Sequence, residues 1–390
     1  MSLLSRIRGA RPRLTHAAAL AAPALLLLLA QTPYTNDKTA TATWMTEAYA
    51  RQGGVAASHI PCVWTPEAKP AFFRQWAEEP PLFHYLGVLL RNLGFTLSYH
   101  SLLPWLLTLT TLAGLASWIS VWTPLGPLQL ASLALLPALA IHSTRYIPDH
   151  LMLAALVWGL ALWCRDRRGW GLALFTLAVT AKATAAFALL GLGLGEVMAH
   201  PSRLRPRELG AWAVRGSLTC LPFAAWLYYL HAKHIPNPFF EDSVSLSRHM
   251  GGNDWGILFT GRYAWRFVLW NGLRGVGLPL FLLALDGVWR VLKRWKETEP
   301  RARVLTVFVV TTFLYWIIVR GPQFTGPWYS FPFLPAWAAM GFLALPRRPA
   351  WLAPAALAIT AAHALALAAL GPPAQSALFS KWNPADMPVQ

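Results

Sequence analysis

Long apolar stretches alternate with short clusters of Arg and Lys along almost the whole chain, and this alternation limits what it can fold into. A membrane-crossing helix needs about 20 mostly apolar residues, and basic residues collect on the cytoplasmic flanks of such helices. The clusters are Arg6 to Arg13, Arg165 to Arg168, Arg203 to Arg207, Arg290 to Arg303, and Arg347 with Arg348. Soluble domains have about 25% charged residues, whereas this chain of 390 residues is 13% charged and 56% hydrophobic. An ordinary soluble domain is thereby excluded. A net charge of +17 would point to nucleic acid in a soluble protein, but here it lies between apolar runs and is read as topology. No nucleic-acid partner is expected.

Placing every basic cluster on one side gives an all-α polytopic membrane protein of about 11 transmembrane helices. The expected spans are residues 15–33, 101–121, 125–143, 150–164, 170–183, 184–199, 209–230, 264–290, 303–320, 328–345 and 350–370. The run Trp170 to Met198 crosses twice because both its flanks are basic. Pro80 to Phe95, interrupted by His84, Arg91 and Asn92, is expected as a helix lying on the outer surface. The apolar run Ala17 to Ala30 lacks a small-x-small cleavage pattern and reads as a retained anchor. Outer loops then cover about residues 34–100 and 231–263. Residues 1–345 form one transmembrane module, and 346–390 carry a last span and an outer tail. Ten of the 16 acids fall outside: Asp37, Glu47, Glu67, Glu78, Glu79, Asp149, Glu241, Asp242, Asp254 and Asp386. Cys62, Cys164 and Cys220 fall at different levels, so no disulfide is expected.

Polar groups at span ends are informative, because each costs free energy in lipid and usually faces a cavity or a partner. Asp37 follows the first span, where it either caps a loop or accepts a proton from a hydroxyl. Glu78 and Glu79 precede Pro80-Pro81, with His84 just beyond; the three could bind a polar acceptor, and a divalent metal is a candidate, although the spacing matches no metal signature. The run His142 to His150 holds Arg145 and Asp149, which either pair with each other or hold a phosphate and a sugar hydroxyl respectively. Lys182 sits at the turn of the short hairpin, either snorkelling to headgroups or meeting a lipid phosphate. Arg320 and the Trp328-Tyr329 pair complete the set, the aromatics anchoring at the interface or stacking on a sugar. All of these fall on one face. Carboxylates and cations together at a membrane boundary suit an anionic lipid substrate and a hydroxyl-bearing partner.

The order of these motifs resembles the GT-C superfamily of polytopic glycosyltransferases, in the group holding protein O-mannosyltransferases and the bacterial lipid A aminoarabinose transferase. The matching residues are Asp37, Glu79-Pro80-Pro81-Leu82, Pro148-Asp149, Lys182 within Ala-Lys-Ala, and Trp328-Tyr329 leading to Pro332 and Pro335. The resemblance implies a transferase that takes a sugar from a polyprenyl-phosphate donor to a lipid, glycan or protein acceptor on the periplasmic side of the bacterial inner membrane. It would place the N-terminus in the cytoplasm and use Asp37 as the base of an inverting transfer. Substrate would be bound by Glu78, Glu79, His84, Arg145, Asp149, Lys182, Arg320 and Tyr329. Two positions depart from the family: Lys38 stands where a second acid is usual, and Glu79 stands where a Lys is usual. A large C-terminal soluble domain, as some members carry, is not expected. The rival readings are a carrier or flippase of lipid-linked sugars, and a lipid-linked glycan polymerase or ligase. A carrier would place polar residues near mid-membrane, where Arg274 is the main exception to apolar span centres.

Overall fold

The protein is described here as a computed structural model, covering residues 80–95, 99–143, 145–200, 206–234, 261–318, 327–345 and 351–369, two strands at 62–64 and 73–75, and scattered positions between 19 and 50. Among the described residues the fold is helical apart from one short ribbon, β1 (Cys62–Trp64) paired antiparallel with β2 (Phe73–Gln75). The helices are α1 (Leu82–Asn92), α2 (Tyr99–Ile119), α3 (Pro127–Ala134), α4 (Pro137–His142), α5 (Asp149–Trp163), α6 (Arg168–Ala181) and α7 (Ala185–Ala199). They continue as α8 (Pro206–Ala232), α9 (Gly261–Phe267) running into a π-helix (Val268–Val276), α10 (Leu278–Lys293), α11 (Pro300–Ile318), a 3-10 helix (Pro327–Phe333), α12 (Leu334–Ala344) and α13 (Leu352–Ala369).

Two of these, α2 and α11, are long and apolar enough to cross a membrane, and α9 to α10 makes a third if a bent pair counts as one. Shorter apolar helices lie at Asp149–Trp163, Ala185–Ala199, Ser330–Ala344 and Leu352–Ala366. The eleven crossings expected from the sequence include residues 15–33, most of which lie outside the described residues. The chain is a membrane protein in which, among the described residues, the long apolar helices are two or three and the core helices are short.

Two expected spans are broken. Residues 125–143 form α3 and α4, because Pro137 has no N–H to continue the helix and Leu136 before it takes an extended backbone (φ −61°, ψ 128°). Residues 264–290 bend by 112° at Gly277, whose φ of +88° suits glycine and whose missing Cβ leaves room for Thr360. Arg274, expected in mid-span, therefore lies before the corner, on the π-helical arm rather than on α10.

Helix α5 is apolar all round and is buried along nearly its whole length, between α2 and α6, as a core helix must be. Close crossings rest on small residues. Gly171 of α6 brings its Cα so near Gly159 of α5 that an added Cβ would sit 3.3 Å from the Gly159 carbonyl oxygen. On the other side α7 packs along α11, where a Cβ on Gly195 would meet the Val304 carbonyl at 2.7 Å. Trp118 of α2 donates its indole N–H to the Pro335 carbonyl of α12 at 3.2 Å, joining the two halves.

The helix ends sort by charge. Arg165 donates to the Ser117 carbonyl (2.7 Å), the Ser117 hydroxyl (2.7 Å), the Ser120 hydroxyl (3.1 Å) and the Ala161 carbonyl (3.1 Å), clamping the C-terminal ends of α2 and α5 together. Arg168, Arg215 and Arg301 line one cavity at that end, and Arg290 of α10 lines a second with Ala344 of α12. Among the described residues, Arg165, Arg168, Arg215, Arg290 and Arg301 thus gather at one end of the bundle, and Asp149 and Lys182 lie at the other ends of α5 and α6. Replacing Gly195 by Val should force α7 from α11 at a cost of about 1–3 kcal/mol, read as a lower melting temperature in detergent. A Gly193→Ala variant, whose Cβ has ordinary van der Waals room, should not show that loss.

Candidate functional site

The long apolar run from Trp170 to Met198 breaks at Lys182, which caps α6 with an extended backbone (φ −161°, ψ 121°) before α7 begins. That geometry turns the side chain into the core. Lys182 Nζ lies 2.9 Å from Asp149 Oδ2, and the two side chains are 4% and 0% exposed. Asp149 opens α5, where the positive end of the helix dipole favours a carboxylate. A buried ion pair is held by its mutual attraction against heavy desolvation, so loss of either partner is costly. Asp149 Oδ1 receives no hydrogen bond among the described residues, which leaves a fully buried acceptor on an otherwise neutralised pair.

Around the pair the fold assembles more polar side chains than the sequence singled out. Arg145, His142 and His150 are all buried on or beside the α4–α5 turn. The rings of His142 and His150 both face Phe331 of the 3-10 helix edgewise, at 5.3 and 6.2 Å between centroids. Ser330 donates its hydroxyl to the Trp270 carbonyl at 3.4 Å, tying the 3-10 helix to the π-helix. On that arm the Arg274 guanidinium lies 5.1 Å from the Trp270 ring, and Asn271 is buried with its Nδ2 donating to the Phe267 carbonyl at 3.1 Å. π-turns inside helices often mark functional sites, and the glycines flanking Arg274 were the only trace of this one in the sequence.

His84, expected from the sequence to bind substrate, is buried on α1. The surface helix α1 buries Phe83, His84, Gly87 and Val88 on one face and exposes Leu89 and Leu93 on the other. The Thr46 hydroxyl lies 3.0 Å from the Ala42 carbonyl, 3.0 Å from His84 Nδ1 and 2.8 Å from the Tyr146 hydroxyl, so one oxygen joins three segments. A Cβ on Gly87 would overlap the Tyr146 hydroxyl, which explains a glycine at that position. Glu47 accepts from Tyr99 at 2.9 Å and pairs with Arg91 at 3.3 Å. This cluster braces the Arg145 turn, because Tyr146 is its neighbour in the chain. Burial lowers the His84 pKa from 6.5 to about 4, and burial likewise raises that of the Tyr146 phenol.

Of the residues singled out from the sequence, the structure brings together Asp149 and Lys182 directly, with Arg145 on the adjoining turn, and sets His84 in the bracing cluster. The ion-pair partner of Asp149 is Lys182, in place of the Arg145 pairing considered above. Asp37, Glu78, Glu79 and Arg320 lie outside the described residues; Tyr329 falls in the 3-10 helix, but its side chain is likewise outside them. Thr46, Tyr146, Asn271 and Ser330 were missed. Among the described residues no group of three His, Cys, Asp or Glu side chains is placed to hold a metal ion. Cys164 and Cys220 are free thiols.

Two measurements probe this arrangement. Lys182→Met should destabilise the protein by about 3–5 kcal/mol by leaving Asp149 buried without its cation, and adding Asp149→Asn should restore part of the loss in thermal unfolding. The His84 imidazole binds its proton more readily when unfolded, so stability should fall as pH drops from 6.5 towards 4, by up to about 3 kcal/mol. His84→Gln should flatten that part of the pH profile.

No protein-family model and no curated protein matches the sequence. Two solved structures match the fold. ArnT from Cupriavidus metallidurans bound to undecaprenyl phosphate superposes with a TM-score of 0.57 at 17% identity, covering 86% of this chain and 60% of that one. The same protein in the apo state gives 0.56 at 16% identity over the same shares. This chain therefore spans 60% of the length of the ArnT chains it matches. The fold of this chain is GT-C-like, shared with ArnT over most of its residues.

Proposed function

We propose that the chain is a membrane glycosyltransferase that moves a sugar from a polyprenyl-phosphate donor to a hydroxyl-bearing acceptor, at the end of the bundle opposite the gathered arginines. The observation that carries this reading is the buried carboxylate of Asp149, with one oxygen on Lys182 and the other open. Such an acceptor suits a sugar hydroxyl, because a hydroxyl can donate to Oδ1 without bringing a further charge into a dry site. The likeness to ArnT, which was solved with undecaprenyl phosphate, supports a lipid-phosphate donor.

In this mechanism Asp37 accepts the proton of the acceptor hydroxyl as its oxygen attacks the anomeric carbon, and the lipid phosphate departs with inversion. Charge growing on the departing phosphate is met by fixed cations, an effect commonly larger than that of the base. Lys182 is already neutralised by Asp149, so the cations for the phosphate are Arg145 and Arg320. Glu78, Glu79 and Tyr329 orient sugar or acceptor, and His84 acts at a distance by holding Thr46 and Tyr146 against the Arg145 turn. The outer face is periplasmic in this reading and the membrane is the bacterial inner membrane.

Purified protein mixed with candidate polyprenyl-phosphate sugars and acceptors, followed by mass spectrometry, tests it. A glycosylated acceptor is expected; movement of intact donor across vesicles with no product would instead mark a carrier. Asp37→Asn should lower turnover by about 100-fold or more while undecaprenyl phosphate still binds, and retained turnover removes Asp37 from the role of base. Asp149→Asn should weaken the use of the sugar without abolishing binding of the lipid phosphate alone.

A further inference from the structure

The end of the bundle where those arginines gather holds two adjoining cavities that the reading above leaves unused. The first, of about 510 Å³, lies where the α5–α6 turn, the end of α7 and the starts of α8 and α11 converge. Among the described residues its wall carries charges of both signs, the guanidiniums of Arg168, Arg215 and Arg301 and the carboxylates of Asp166, Glu196 and Glu208, with Asp166 3.9 Å from Arg168 and Glu196 3.8 Å from His200. The second, of about 390 Å³, runs between α6, α7 and α8 and is lined by residues such as Leu172, Phe175, Leu189, Leu209 and Gly216. Trp163, Trp212 and Arg215 line both, and the two indoles stand 5.4 Å apart as a shared partition.

We propose that this pair of cavities is a second lipid site, taking the headgroup of an amine-bearing phospholipid in the polar chamber and part of an acyl chain in the apolar one. The presence of both signs selects the headgroup. A phosphodiester is matched by guanidiniums, which hold phosphate oxygens with paired N–H groups. The ammonium of the same headgroup is matched by the carboxylates. A lipid of net negative charge meets three carboxylates with no cation of its own to offer them, and an uncharged lipid gains nothing from three guanidiniums. Amphipathic Trp rings at the partition suit the boundary between a wet head and a dry chain. Helix α5 separates the ends by about 22 Å at 1.5 Å per residue, so this site is distinct from the one around Asp149 at the helix's far end.

Native mass spectrometry of the full chain in detergent, with equal amounts of phosphatidylethanolamine, phosphatidylglycerol and the uncharged diacylglycerol, tests the proposal. Phosphatidylethanolamine should be retained at least about tenfold more than the other two, a preference of roughly 1.4 kcal/mol. Glu196→Gln combined with Glu208→Gln should abolish that preference, and Arg215→Gln should reduce retention of both glycerophospholipids. Gly216→Phe should lower phosphatidylethanolamine retention about tenfold, since nothing lies within 4 Å of a Cβ built there and the new ring fills the apolar chamber. Melting temperatures in lipid-free detergent should stay unchanged for Glu196→Gln and Gly216→Phe. Equal retention of the three lipids, preference for phosphatidylglycerol, or undiminished binding by a folded Gly216→Phe protein would each overturn the proposal.

Discussion

The contact on which the polar end depends is the one between Lys182 and Asp149, two opposite charges at 2.9 Å with almost no exposure to solvent. Either charge alone at that depth would carry a heavy desolvation cost. Their attraction fixes the break between α6 and α7 against the start of α5, and so sets the level at which the other polar groups meet. In the proposed transfer it also divides the labour among the cations, with Lys182 positioning Asp149 and Arg145 on the neighbouring turn answering the phosphate.

The bracing cluster shows how a distant segment can govern that turn. One hydroxyl, that of Thr46, is shared by the Ala42 carbonyl, the His84 imidazole and the Tyr146 phenol. The aromatic faces of Phe83, Tyr99 and Tyr146 pack around it, with centroids 4.6 Å apart for Phe83 and Tyr146 and 5.5 Å for Tyr99 and Tyr146. The surface helix is therefore part of the scaffold of the site, although half of it faces outward.

What was legible in the sequence was the position of charges relative to apolar runs. A lone Lys in a long apolar stretch marked the turn at Lys182, and Pro148-Asp149 marked a helix start, so both members of the buried ion pair were legible in the sequence. The interior of the spans was read less well. Leu136-Pro137 and Gly275-Val276-Gly277 were plain signs of interruption, yet a count based on apolar length passes over them, and 125–143 and 264–290 proved to be broken. Pairings such as Thr46 with Tyr146, separated by 100 positions, leave no local mark, because a buried threonine and a surface threonine look alike in one sequence. Arg274 was placed within one continuous span because the corner at Gly277 was not foreseen.

The shortness of the central helices reaches beyond the site. At 1.5 Å per residue, the fifteen residues of α5 and of α7 and the fourteen of α6 each span about 21–22 Å, less than the hydrocarbon thickness of about 30 Å in a typical bilayer. The Arg165 clamp holds two of the helix ends at one level, so the protein cannot close the gap there by sliding α2 against α5. Where these helices each cross a bilayer, the surrounding lipid would have to thin beside them. Phosphate groups of the two leaflets would then be drawn toward each other next to the protein, and acyl-chain length would set the size of that mismatch.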